Sequence, residues 1–242
     1  GARFALFNLG FDNPIARNVY ATNATLHANG QSTDFTNVYT GNVQMSGSVL
    51  FSFEGPTKVF FNGPLTGASA FNVSGVDGSL LHLNAANAYS GPTTVTNVIL
   101  AGGGSIQGNL TILTAATLAP GNPVGAFTVQ GNATIEGTAV MELNGTANYD
   151  RLVAGSITFP GKLTVVVLTA QPGVYQLFNH PVSIAPANLT LPALPSGMSW
   201  VNKLDQNGSI EIAGQTTPPN ISDVSLIGGT FSFRCTGGTE GY

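Results

Sequence analysis

The chain has 242 residues, enough for one large all-β domain or for such a domain with a small appended module. Hydrophobic residues make up 43% but charged residues only 7%, far below the roughly 25% usual in soluble domains. The 11 acids and 7 bases are scattered without clusters, which excludes a phosphate-binding face for nucleic acid and a polybasic membrane patch.

Residues 1 to about 37 hold the short apolar runs FALFNLGF and NVYATNATLHANG, whose partial alternation suits an N-terminal cap or first coil. The opening GARFALFNLGF lacks the charged leader and long apolar core of a signal peptide, so the expectation is a mature start or a cut chain. From Val38 the pattern sharpens. In SVLFSFE, Val49, Phe51 and Phe53 share one face while Ser48, Ser52 and Glu54 share the other, and period-two patterning of this kind predicts strand. No window of a dozen residues shows helical spacing with a cap, and no apolar run reaches the ~20 residues of a membrane helix. Membrane insertion is not expected.

A pentapeptide of the form small–x–x–Thr–aliphatic then recurs, starting at Gly108, Gly125, Gly131 and Gly161. Its irregular spacing is what a β-solenoid tolerates, because each coil needs only an inward apolar strand and a glycine or asparagine corner. Single coils cannot bury their own apolar face, so stacking has to supply the stability. The predicted fold is therefore all-β: a parallel β-solenoid (β-helix) over residues 1–145, followed by a small sandwich-like β-cap over 146–214. That cap is expected to end in a hairpin with Trp200 buried and Gln206-Asn207-Gly208 as its turn. Residues 215–242 read as a proline-stiffened linker and a partial strand hairpin, either an assembly tail or the start of an immunoglobulin-like module.

The segments Asn87-Ala-Tyr-Ser-Gly-Pro-Thr-Thr-Val, Gly108-Asn-Leu-Thr-Ile, Leu118-Ala-Pro-Gly-Asn-Pro and Tyr149-Asp-Arg-Leu-Val carry a family resemblance. From Leu83 to about Gly214 the chain resembles the autotransporter-associated β-strand repeat proteins. The resemblance implies an exported, extended bacterial surface protein with a β-helical passenger.

Candidate chemistry is sparse. Glu136 and Glu142 have equal parity, as a carboxyl pair for glycoside hydrolysis would need, but Gly137 breaks the strand between them and a solvated face is the simpler reading. Asp150-Arg151 reads as a structural ion pair or turn contact. His27, His82 and His180 are far apart in sequence, although stacking could bring His27 and His82 together. Gly102-Gly-Gly104 lacks the Lys and the helix of a phosphate loop and reads as a corner. Cys235, the lone cysteine, has no partner for an intramolecular disulfide, and the neighbouring Arg234 could lower its pKa. Phe51, Phe53, Phe60, Phe61, Phe71 and Tyr89 could line a sugar-binding groove, with most of them expected in the core. Thr94-Val-Thr96 and Thr111-Ile-Leu-Thr114 resemble pieces of ice-binding faces, which demand a more regular array.

No catalytic residue, metal ligand or cofactor site is therefore assigned. The expected role is a secreted, non-catalytic structural or adhesive protein of the bacterial cell surface. Its expected partners are copies of itself or other surface proteins, joined through strand edges. The alternative is a carbohydrate-binding or carbohydrate-cleaving β-helix, with glycans as partners.

Overall fold

The structure is a computed structural model that describes residues 3–121, 123–214 and 220–236. It is a β-solenoid of about 8 turns, 59% strand and 3% helix. The first coil contributes β1 (Arg3–Phe7), and the second β2 (Val19–Asn29) and β3 (Thr36–Tyr39). The third holds β4 (Val43–Phe53) and β5 (Lys58–Phe61). Next come β6 (Leu65–Gly67), β7 (Ala70–Ser74) and β8 (Leu80–Leu83), then β9 (Ala88–Tyr89), β10 (Thr93–Thr96) and β11 (Ile99–Gly102). The sixth coil is β12 (Ser105–Ile106), β13 (Leu110–Ile112) and β14 (Thr117–Pro120). The last two are β15 (Ala126–Ile135) with β16 (Thr138–Asn144), and β17 (Arg151–Thr158) with β18 (Lys162–Thr169).

Each strand pairs in parallel with its counterpart one coil later, as Thr36 does with Lys58 and Lys58 with Leu80. The ladders define three faces. The first runs from the N-terminal half of β4 through β6 to β9. The second stacks β1, β2, the C-terminal half of β4, β7, β10, β13 and β15. The third stacks β3, β5, β8, β11, β14, β16 and β18.

Alternation decides which side chains go inside. Val49, Phe51 and Phe53 are buried, and in the recurring pentapeptide the third and fifth residues face inward: Leu110 and Ile112, Phe127 and Val129, Ala133 and Ile135, Leu163 and Val165. Between them point the threonines, so that Thr94, Thr111, Thr134 and Thr158 form one outward column on the second face. Inside, the Phe51 ring meets Phe61 at 5.4 Å and Phe71 at 6.5 Å, and Tyr39 stacks on Phe61 at 4.5 Å. Most aromatics of the predicted groove are thus core, with Phe60 facing out.

Asparagines staple the corners. The Oδ1 atoms of Asn23, Asn87 and Asn109 accept the backbone N–H groups of Ser48, Leu65 and Asn132, each in an adjoining coil. Each such bond satisfies a corner amide that no ladder reaches, at about 1 kcal/mol net. Corners also bring backbones too close for a side chain. A Cβ on Gly108 would lie 2.1 Å from the carbonyl oxygen of Gly91.

The solenoid does not stop at residue 145. Residues of β15 pair in parallel with β17, and β16 with β18, so two strands of the region expected to be cap are a further coil. The denser run LTVVVL suggested a change of architecture, but it alternates like any other rung: Leu163 and Val165 are buried in the core and Val167 packs against it. Val166 and Leu168 face outward.

Afterwards come β19 (Gly173–Gln176), β20 (Leu189–Thr190), β21 (Met198–Lys203), the single turn α1 (Leu204–Asn207) and β22 (Ser209–Gly214). Of these β20 still adds a short parallel rung to β18 on the third face, and the others form the cap. β22 pairs antiparallel with β19 on one side and β21 on the other. Tyr175, Leu177, Phe178, Ile210 and Ile212 from this region are buried in the same core as the coils, closing that end. The β21–β22 hairpin matches expectation. Its turn starts earlier, at Leu204, and ends on Gly208 in the left-handed conformation. Trp200 is only half-buried because its indole N–H reaches out to the carbonyl of Pro192, 2.9 Å away.

Residues 215–219 of the expected linker lie outside the described residues. After them β23 (Asn220–Ile227) and β24 (Thr230–Thr236) form the expected antiparallel hairpin, turning at Gly228-Gly229 with both φ angles positive. Its Leu226, Ile227, Phe231 and Phe233 are exposed.

Candidate functional site

The acidic residues singled out in the sequence do not converge. Glu136 follows β15 on the second face, whereas Glu142 lies on β16 of the third. Asp150 is 1% exposed, and it holds a turn rather than pairing with Arg151. Its Oδ1 accepts the N–H of Gly125 at 2.9 Å and its Oδ2 that of Glu142 at 2.8 Å. Burial pushes the Asp150 carboxyl up to about 7, against those two donors, and the nearby Glu142 charge pushes the same way.

Stacking does not bring His27 and His82 together either. His27 lies on β2 of the second face, where its Nδ1 sits 2.9 Å from Oε1 of Glu54. His82 lies on β8 of the third face, and His180 follows β19, its Nε2 3.0 Å from the Ala154 carbonyl. Among the described residues no three His, Cys, Asp or Glu groups stand close enough to hold a metal ion. Gly102-Gly-Gly104 forms a corner, with Gly102 at positive φ and the amide of Gly104 bonded to the Leu83 carbonyl. Cys235 falls in β24, but its side chain lies outside the described residues.

Two surface features remain. One is the outer edge of β1, which pairs with no strand among the described residues. Phe4 and Leu6 are in register with the buried Leu26 and Ala28, so both point into the line of the core. Leu6 is covered, but Phe4 stays 44% exposed, with no rung over it among the described residues. Phe7 and Phe11 are exposed beside it.

The other is a trough on the outside of the third face. The outward residues of successive strands are Val38, Phe60, His82, Ala101 and Ala119, aligned by register. The Phe60 and His82 rings stack, and Phe11 leans on Phe60 at 5.2 Å. Beyond His82 the two alanines leave a depression of about 160 Å³, continued by Val140 and flanked by Pro123, Glu142 and Asp150. His82 is 7% exposed, and its Nδ1 has no hydrogen-bond partner. Burial, with help from the Lys58 charge, lowers its pKa to about 4, so the imidazole is neutral near pH 7. Sequence reading placed His82 in a strand but missed the trough, whose only signal is the alignment of KVFF, LLHL, ILAG and TLAP one above another.

No protein-family model matches the chain, and no curated protein matches it.

Proposed function

We propose that the chain is a non-catalytic structural segment of a secreted bacterial surface protein, one that associates through an open strand edge. The repeat texture resembling autotransporter passengers, the 7% charge and the stacked coils all support this reading. The observation that carries it is the contrast between the two ends of the core. At the C-terminal end Tyr175, Phe178 and Ile212 close the last coil, whereas at β1 the inward-pointing Phe4 remains exposed among the described residues. A parallel strand with alternating apolar residues would cover Phe4 and take up the free edge together. A second copy, or another surface protein of the same architecture, supplies such a strand. With the C-terminal end of the coils closed, the donor strand in a second copy is one of the β23–β24 hairpin, whose Leu226, Ile227, Phe231 and Phe233 are exposed; such a contact is head-to-tail and propagates rather than closing.

Sedimentation velocity across a wide concentration range tests this. The wild-type protein should form growing oligomers, and Phe4→Asp should shift it towards monomer without changing its thermal midpoint. A wild-type protein that stays monomeric at millimolar concentration refutes the association.

A further inference from the structure

We propose that the trough beyond His82 binds a neutral oligosaccharide, seating one or two pyranose rings. Three observations converge on this ligand class. First, the trough opens where a column of rings ends. Phe60 and His82 stack face to face on adjoining strands, and the next two positions in the same row are Ala101 and Ala119. Strands lie ~4.8 Å apart, so from His82 to Val140 the trough runs roughly 14 Å over three strand spacings. That length accepts a disaccharide lying along the solenoid axis.

Second, the floor is apolar and its ends are polar. Ala101, Ala119 and Val140 offer a surface for the C–H face of a sugar. At one end the trough is bounded by the neutral imidazole of His82, and at the other stands the Glu142 carboxylate, for which no ion pair is formed among the described residues. A ligand that is apolar on one face and carries hydroxyls along its rim covers the floor and bonds to the carboxylate end.

Third, the charge excludes anionic ligands. The Glu142 carboxylate flanks the trough and no cation lines it, so phosphate and uronate are repelled. An alkylammonium would pair with Glu142 but leave most of the apolar floor uncovered, and the test below separates it from a sugar.

Saturation-transfer NMR with cellobiose, chitobiose and mannobiose, each at millimolar concentration, tests the proposal on the whole chain. At least one disaccharide should receive saturation on its ring C–H protons. Ala119→Phe, which fills the trough, should abolish the transfer. Glu142→Gln, which keeps the shape and removes the charge, should weaken binding about tenfold, the loss of one charge-assisted hydrogen bond. Circular dichroism on both variants confirms that the coils are retained. The proposal is overturned if none of the three sugars gives transfer, if transfer survives in both variants, or if N-acetyl-lysine methylamide binds while the sugars do not. None of these outcomes bears on the oligomeric state, so the association through β1 stands or falls separately.

Discussion

The imidazole of His82 lies flat on the phenyl ring of Phe60, with centroids 4.2 Å apart and planes within 6° of parallel. The two residues are 22 apart in sequence yet adjacent in register. The coil thus converts two unremarkable strands, KVFF and LLHL, into a stacked pair on the outside of the third face. Burial of this kind keeps the imidazole neutral, with consequences for stability.

A neutral, buried His82 makes the protein less stable in mild acid. The unfolded chain takes up the proton at the ordinary histidine pKa of 6.5, whereas the native imidazole refuses it until about pH 4. The stabilisation from His82 is therefore full above pH 6.5 and disappears as the pH falls towards 4. The NMR titration of His82 should show a midpoint near 4. In His82→Phe, which keeps a ring on Phe60, this contribution to the acid limb should be absent from urea midpoints measured between pH 6.5 and 4.

Asp150 should act with the opposite sign. Its carboxyl titrates near 3.8 when unfolded and at about 7 when folded, so its contribution is full below pH 3.8 and is lost as the pH rises through 7. Between pH 4 and 6.5 the two residues offset each other. Asp150→Asn removes the titration and keeps an acceptor, so it should expose the acid sensitivity that His82 confers. Asp150→Ala removes the titration as well and should lie about 3 kcal/mol below Asp150→Asn at every pH, because the amides of Gly125 and Glu142 then lose their acceptors in a buried turn. Chemical denaturation of both variants at pH 4, 5.5 and 7 separates the two effects.

The inward residues of each rung were legible because strand alternation is a local property: Phe51 and Phe53, or Leu110 and Ile112, announce their face within five residues. The threonine column was half legible, since the pentapeptide repeats but its stacking does not show until coils are aligned. The trough was not legible at all. Aligning His82 with Ala101 requires knowing that one coil advances 22 residues, as from Phe60 to His82, and the next fewer, and that difference is absorbed in corners of variable length. The boundary placed at residue 145 failed for a related reason. The outward-facing Val166 and Leu168 make β18 look like a different kind of strand, although its ladder to β16 continues the third face.

Core aromatics should be far more costly to remove than those at the open end. Phe51 is fully buried and touches Phe53, Phe61 and Phe71, joining the second face to the third. Phe51→Ala should lower stability by about 3–5 kcal/mol, since neighbouring rings held by separate ladders cannot collapse into the cavity. Phe11→Ala at the exposed N-terminal turn should cost less than about 1 kcal/mol. Urea unfolding followed by circular dichroism measures both.

Two glycines five residues apart should respond to alanine in opposite ways. At Gly108 the new Cβ would sit 2.1 Å from the Gly91 carbonyl oxygen, a backbone atom fixed by the coil beneath. The coils would have to part at that corner, at the cost of the Asn109 staple to Asn132 as well. Gly108→Ala should therefore destabilise by about 3 kcal/mol or more. Gly103 is exposed, and the nearest atom to its added Cβ is the Ala126 carbonyl oxygen at 3.9 Å, an ordinary contact. There Gly103→Ala should leave the midpoint unchanged or raise it by up to about 1 kcal/mol, because alanine restricts the unfolded chain. Thermal melts of the pair read the stacking distance between coils directly: equal losses at both positions would mean that the corner backbones are not in contact.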